Sequence, residues 1–183
     1  TLSHLASHER DELGTHREVE LASAMAKLGV RDHRFLGAPA KRWRDSGMVG
    51  TPPNERPDNF WNADFDEVVG ELVALIEEIR PQVVITYDEF GGYGHPDHIQ
   101  AHRITMAALV LARWKVSKVY WNVMPRSVLK VAMDAMKEQG SDFFGAENIE
   151  DVPFAKPDEL VTAVVNGDAY VDAKMNALKA HET

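Results

Sequence analysis

The chain has 183 residues, of which 44% are apolar and 27% are charged, a composition typical of one globular domain with a hydrophobic core. Its net charge of −9 argues against general binding to nucleic acids or to anionic membranes, since both need a basic protein surface. The absence of cysteine excludes disulfides, thiolate metal sites and a cysteine nucleophile, so a bound metal ion would need histidine and carboxylate ligands.

The spacing of apolar residues predicts five helices. In the first, Leu21 and Leu28 fall on one face, and Gly29 is placed to end the helix. The clearest helix follows Asp64, which is a suitable N-cap with Glu67 in the matching capping-box position, and it ends before Pro81. The predicted helices cover residues 7–28, 65–80, 96–112, 126–139 and 168–181.

Four short segments between the helices predict strands. The β-branched run from Val83 to Tyr87 predicts a buried strand, and the other strands are predicted over 33–36, 118–123 and 160–165. Residues 37–63 and 140–157 are predicted to be loops. The alternation of helix and strand predicts an α/β fold, with a mostly parallel sheet flanked by helices and a single domain over 1–183.

The run from Gly91 to His98, Gly-Gly-Tyr-Gly-His-Pro-Asp-His, concentrates the polar chemistry of the chain between the strand 83–87 and the helix 96–112. Its glycines permit a tight turn, and proline suits the first position of a helix. Asp88, His95, Asp97 and His98 therefore collect at the carboxyl end of a strand, where open α/β sheets place their active sites. The arrangement predicts a metal site or an acid–base site.

The three histidines of this region allow different interpretations. His95 and His98 are predicted to converge at the mouth of the helix, where one could bind metal while the other moves protons or steadies developing charge. His98 and His102 also have the spacing of a zinc pair, but a hydrogen-bonded structural role is favoured for His102.

Asp97 and Tyr93 each have two open interpretations, whereas Asp88 has one simple role. Asp97 could stabilise the helix N-terminus, or accept a hydrogen bond from His95 and fix its tautomer. Tyr93 could pack in the loop or donate a hydrogen bond to an oxyanion. Asp88 could simply cap the turn.

The run from Thr86 to His98 resembles the second signature of the zinc-dependent N-acetylglucosaminyl deacetylases, the LmbE-like or PIG-L-like family. Gly94 and the run from Trp43 to Met48, Trp-Arg-Asp-Ser-Gly-Met, are similar to the branch that deacetylates N-acetylglucosaminyl-inositol in mycothiol biosynthesis. The resemblance implies a Rossmann-like domain and a hydrolase with a small amino-sugar–inositol substrate.

Site residues follow from the resemblance position by position. It implies that His98 ligates zinc and that His95 acts as general acid or stabilises the tetrahedral intermediate, with Asp97 as its orienting partner. It implies that Tyr93 contacts the polarised carbonyl oxygen. It further implies that Arg17 and Asp45 hold the substrate, and beside Asp45 we expect Arg44 and Ser46 to offer hydrogen bonds to polyol hydroxyls.

The family's first signature, a His-Pro-Asp-Asp run, has no match in this sequence. We expect the other zinc ligands, and an N-terminal βαβ segment, to lie upstream of Thr1, and the chain to be truncated at both ends. No apolar run reaches the roughly 18 residues that span a membrane, and a signal-peptide pattern is absent, so a cytoplasmic location is expected.

Several functions stay open beside the inositol deacetylase. The nearest are a mycothiol S-conjugate amidase and another N-deacetylase of the family. Two further alternatives are an anion-binding module that uses the glycine turn and the helix N-terminus, and an inactive fragment with an incomplete metal site. The choice between zinc and iron and the oligomeric state are not determined by the sequence.

Overall fold

The computed structural model describes residues 12–37, 42–143 and 145–183. By its internal contacts the chain divides into two units. The first consists of Thr1–Arg34 with Ala163–Thr183, and the second of Phe35–Thr162.

The regular elements alternate between helix and strand, as the sequence predicts for an α/β fold. In chain order they are α1 (Glu12–Leu28), α2 (Phe65–Ile79), β1 (Val83–Tyr87), α3 (Pro96–Leu111), β2 (Lys118–Asn122), β3 (Met124–Pro125), α4 (Arg126–Glu138), β4 (Ala155–Lys156) and α5 (Val171–Leu178). A four-residue turn, Gly91–Gly94, joins β1 to α3, and we call it the glycine turn. Short 3-10 turns lie at Pro52–Glu55, Ile149–Asp151, Asp158–Leu160 and Asp168–Tyr170.

Helices α2 and α3 form the first core of the second unit. The Asp64 side chain caps α2 by accepting a hydrogen bond from the backbone N–H of Glu67 at 2.9 Å, as its sequence position predicts. Arg80 closes the helix in the left-handed conformation immediately before Pro81. The buried apolar residues of this core are Val68, Val69, Ile76, Ile104, Ala108 and Ala112.

Strands β1 and β2 pair in parallel, from Val83 opposite Lys118 to Tyr87 opposite Asn122. The prediction of a buried β1 is wrong, because Ile85 is 71% exposed and Val83 on the same face is also exposed. Among the described residues β1 pairs only with β2, and the exposure of Ile85 and Val83 shows that this face of the pair is open to solvent. The carboxyl end of β1 leads directly into the glycine turn.

A second core lies beside the glycine turn. Strands β3 and β4 pair in parallel, with Pro125 opposite Lys156. Helix α4 and the following loop supply most of the buried cluster, which consists of Leu129, Met133, Phe143, Ile149, Val152, Phe154 and Ala155. Phe90, which precedes the glycine turn, packs against this cluster.

Two predicted strands are absent from the described residues. Residues 33–36 form irregular chain that ends in a turn. In the predicted strand 160–165, Leu160 is the last residue of a 3-10 turn, and residues 161–165 do not pair with another described strand. Val164 and Val165 are 88% and 90% exposed. The two predictions came from the sequence of each segment alone, whereas a strand also needs a neighbour for its backbone hydrogen bonds.

The first unit consists of α1 packed against α5. Helix α1 is described from Glu12 to Leu28, and the predicted residues 7–11 lie outside the described part of the chain. The predicted helix 168–181 is shorter, since only Val171–Leu178 is α-helical. No helix of the described residues is long and apolar enough to cross a membrane.

Candidate metal and acid–base site

Asp88 shapes the glycine turn at the end of β1. Its backbone carbonyl accepts a hydrogen bond from Gly91 N at 2.9 Å, and its Oδ1 accepts one from Gly92 N at 2.8 Å. Gly91 has a φ of +67°, and a Cβ there would lie 2.6 Å from the backbone nitrogen of Ile99. The capping role predicted for Asp88 is thus confirmed, and the turn runs so close to α3 that only glycine fits.

His98 lies in the first turn of α3, where its ring is held on two sides. Its Nδ1 lies 3.1 Å from the carbonyl oxygen of Gly91, and because a carbonyl only accepts, Nδ1 carries the hydrogen. The ring also stacks on Tyr87, with centroids 4.1 Å apart. Burial lowers the pKa of His98 below its ordinary value. His98 is therefore held as a neutral imidazole whose Nε2 keeps its lone pair for a ligand.

His95 is the N-cap of α3, as the sequence predicts. Its Nδ1 accepts a hydrogen bond from the backbone N–H of Asp97 at 3.2 Å. The neutral ring consequently carries its hydrogen on Nε2, which lies 3.9 Å from Asp45 Oδ1. The rings of His95 and His98 are 4.9 Å apart, so the two face one small volume with opposite tautomers.

The carboxylate of Asp97 does not orient His95 in the predicted way. Its Oδ2 accepts a hydrogen bond from Ser46 N at 3.0 Å, and its Oδ1 is buried without a hydrogen-bond partner among the described residues. The backbone amide of Asp97 fixes the tautomer instead, because the N-cap geometry directs that N–H at the ring nitrogen.

Residues 42–63, which we call the long loop, contain only one 3-10 turn and one isolated β-bridge, between Arg44 and Asn59. The loop predicted here brings Asp45 beside His95. Ser46 is fully buried, and its Oγ accepts a hydrogen bond from Trp61 N at 2.9 Å. The expected role of Ser46 in contacting polyol hydroxyls is wrong, since its side chain is used inside the loop. The carboxylate of Asp45 remains 74% exposed.

The predicted site residues fall into two groups. Tyr93, His95, Asp97, His98 and Asp45 lie together, with the Tyr93 ring edge-on to both imidazoles at 5.2 and 6.0 Å. Arg17 belongs to the first unit, where its Nε donates a hydrogen bond to Thr183 Oγ1 at 3.3 Å. His102 binds the carbonyl oxygen of Tyr87 through Nδ1 at 3.0 Å, which confirms its structural role.

Donor atoms of Asp45, His95 and Asp97 lie within 4.8 Å of one another and could hold a metal ion. This trio does not include His98, the ligand expected from the sequence. Among the described residues, Nε2 of His98 and Oδ1 of Asp97 have no hydrogen-bond partner, and both atoms suit a divalent cation. The site therefore offers two possible metal positions, one at His98 and one at the Asp45–His95–Asp97 trio.

Residues 2–109 match the family described as PIG-L: GlcNAc-PI de-N-acetylase. The chain belongs to this family. The PIG-L match includes the long loop, the glycine turn and every predicted site residue from Arg17 to His98.

Curated relatives are similar to almost the whole of this chain. Proteins from Geodermatophilus obscurus and Acidothermus cellulolyticus, each named 1D-myo-inositol 2-acetamido-2-deoxy-alpha-D-glucopyranoside deacetylase, are 52% and 51% identical. Each comparison covers 98% of this chain, and 65% and 62% of the respective relative. A protein from Catenulispora acidiphila, named as deacetylase 1 of the same kind, is 50% identical over 100% of this chain and 60% of its own length. The chain thus spans less than two thirds of these relatives.

Proposed function

We propose that the full-length protein containing this chain is a metal-dependent amide hydrolase that removes the acetyl group from N-acetylglucosaminyl-inositol, in mycothiol biosynthesis. Support comes from the relatives named for this deacetylation and from one observation in the site. His98 presents a free Nε2 beside the N–H-bearing Nε2 of His95. A lone-pair donor and a hydrogen-bond donor that face one small volume suit metal-assisted amide hydrolysis, because one can bind the ion and the other can stabilise charge on the carbonyl oxygen.

His98 is the proposed metal ligand in this chain, with zinc as the proposed ion. When bound, the ion supplies a Lewis acid for the acetamide carbonyl and makes hydroxide available near neutral pH. The hydrogen bond from His98 Nδ1 to Gly91 fixes the ring orientation, as such partners do for metal-binding histidines. We expect the remaining ligands to come from residues of the full-length protein outside these 183. We also expect the protein to work in the cytoplasm.

His95 is proposed to stabilise the negative charge that develops on the acetyl oxygen. The Asp97 N–H points at Nδ1, so the contact requires a neutral ring, with its single hydrogen on Nε2. Nε2–H can donate to an oxyanion in that state, whereas a doubly protonated ring would lose the Asp97 contact. The geometry therefore favours the oxyanion role of His95 over the general-acid role.

Tyr93 and Asp45 are proposed to act on the substrate from the rim of the site. The Tyr93 ring stands edge-on to both histidines, and its hydroxyl is the proposed second hydrogen-bond donor to the polarised carbonyl oxygen. Asp45 offers an exposed carboxylate suited to sugar or inositol hydroxyls. Arg17 remains a proposed substrate residue on the strength of the resemblance alone.

Acetate release by the full-length protein tests the proposal. The purified protein is incubated with N-acetylglucosaminyl-inositol and, in parallel, with a cysteinyl thiol conjugate of the deacetylated sugar. We expect release of acetate from the first substrate, abolition by a chelator and recovery with added zinc. Cleavage of the thiol conjugate alone would instead identify an S-conjugate amidase, and activity that survives the chelator would contradict metal dependence.

A further inference from the structure

Asp88 is a buried carboxylate with a partner on each side. Its residue is only 2% exposed. Its Oδ1 accepts the hydrogen bond from Gly92 N, and its Oδ2 lies 3.0 Å from the Nζ of Lys156 on β4. Lys156 also approaches Glu89 Oε1 at 3.6 Å. One carboxylate therefore links the glycine turn to a strand that is distant in sequence.

The ion pair with Lys156 is needed to keep this carboxylate in place. A buried ionised carboxylate is costly unless a charge partner and hydrogen bonds compensate for the lost water. The hydrogen bond to Asp88 raises the pKa of Lys156 above its ordinary value, so the amine stays protonated at neutral pH. Removing the ammonium group would leave Asp88 uncompensated, and we expect the carboxylate to move toward water.

A movement of Asp88 would be transmitted to His98 through the glycine turn. The Asp88 carboxylate accepts a hydrogen bond from Gly92 N, and the Asp88 backbone carbonyl accepts one from Gly91 N. The carbonyl of Gly91 in turn accepts a hydrogen bond from Nδ1 of His98. The glycine turn is packed closely against α3 at this point, since a Cβ on Gly91 would lie 2.9 Å from the Cβ of His98.

We propose that Lys156 and Asp88 act as positioning residues, which hold the glycine turn so that the Gly91 carbonyl fixes His98 in the Nδ1–H tautomer with Nε2 free. Neither residue touches the reacting atoms. The consequence for metal affinity rests on the proposed function, whereas the consequence for the His98 tautomer does not. Lys156 lies outside the family match, which ends at residue 109.

The tautomer of His98 is measurable in the metal-free full-length protein by long-range 1H–15N correlation spectra of the imidazole nitrogens. The wild type is expected to show a single Nδ1–H tautomer. Lys156→Met should give a mixture of tautomers, and Lys156→Arg, which keeps the cation, should restore the single form. Lys130→Met is the matched control, because it removes an exposed lysine paired with Asp134 at 2.9 Å.

Zinc affinity supplies the second measurement. Loss of groups that orient a ligating histidine commonly lowers metal affinity 10–100-fold, so Lys156→Met should weaken binding by about 10-fold, with Lys130→Met unchanged. If Lys156→Met does not fold, Asp88→Asn tests the same link, because the amide can still accept from Gly92 N but cannot pair with the ammonium.

The proposal is overturned if a folded Lys156→Met or Asp88→Asn protein keeps the wild-type tautomer and zinc affinity. A wild type that shows the Nδ1–H tautomer but binds no metal would contradict the proposed function. The positioning role would then be judged on the tautomer of the variants alone.

Discussion

The imidazole of His98 lies flat against the ring of Tyr87, with planes only 5° apart and centroids 4.1 Å apart. The Tyr87 ring covers one face of the imidazole, while the Gly91 carbonyl accepts a hydrogen bond from Nδ1 at the edge of the imidazole. Burial is the largest cause of the lowered pKa of His98, and the nearby His95 lowers it further. The hydrogen bond to Gly91 and the carboxylates of Asp97 and Asp45 oppose this shift without cancelling it.

This lowered pKa predicts a pH-dependent loss of stability in the metal-free protein. The unfolded chain binds a proton on His98 near the ordinary pKa of 6.5, whereas the folded protein binds it only at lower pH. The contribution of His98 to the free energy of unfolding should therefore fall as the pH drops below about 6.5, and level off below the folded pKa. Urea unfolding of the wild type and of His98→Asn at several pH values isolates the effect. A difference between the two proteins that does not shrink on acidification would contradict the prediction.

Gly91 should tolerate alanine much less well than another glycine with the same backbone conformation. Gly140 has a φ of +70°, close to that of Gly91, but has open space where a Cβ would lie. Gly140→Ala should cost about 1–3 kcal/mol from backbone strain alone. Gly91→Ala should cost about 1–3 kcal/mol more, because its Cβ would overlap Ile99 and His98. Equal unfolding free energies of the two variants would show that the turn can relax away from α3.

Ser46→Ala should destabilise the long loop. The variant leaves the backbone N–H of Trp61 without its acceptor, at an expected cost of about 1–3 kcal/mol in the free energy of unfolding. Ser141→Ala, at an exposed position, is the matched control and should change stability by less than about 0.5 kcal/mol. Thermal and urea unfolding compare the two. A Ser46→Ala protein as stable as the control would mean that the Ser46 hydroxyl does not hold the loop.

Much of the fold could be predicted because its signals are local. The Asp64 cap, the end of α2 before Pro81 and the positions of β1 and α3 follow from residues close together in sequence. The strands predicted over 33–36 and 160–165 did not form, because a strand needs a neighbouring strand and the local sequence does not indicate whether one is present. The exposure of Ile85 escaped prediction for the same reason, since burial depends on which elements cover a strand.

The candidate site was predictable in its residues but not in its contacts. The motif placed His95, His98 and Tyr93 together, and the structure confirms this arrangement. The hydrogen bond between Ser46 and Asp97 joins residues far apart in the chain, as does the pair of Lys156 with Asp88. No sequence spacing predicts a contact between residues so far apart in the chain, so only the three-dimensional structure could reveal these two contacts.

Metal content and turnover of three histidine variants of the full-length protein test the central claim most directly. His98→Ala should lose the bound metal. His95→Ala should keep the metal and lose turnover by about 10²–10⁴-fold, the usual contribution of a placed proton-transferring or charge-stabilising group. His33→Ala, at an exposed position of the first unit, is the control and should keep both. If His95→Ala loses the metal while His98→Ala keeps it, the ion binds at the Asp45–His95–Asp97 trio and the role assigned to His98 is wrong.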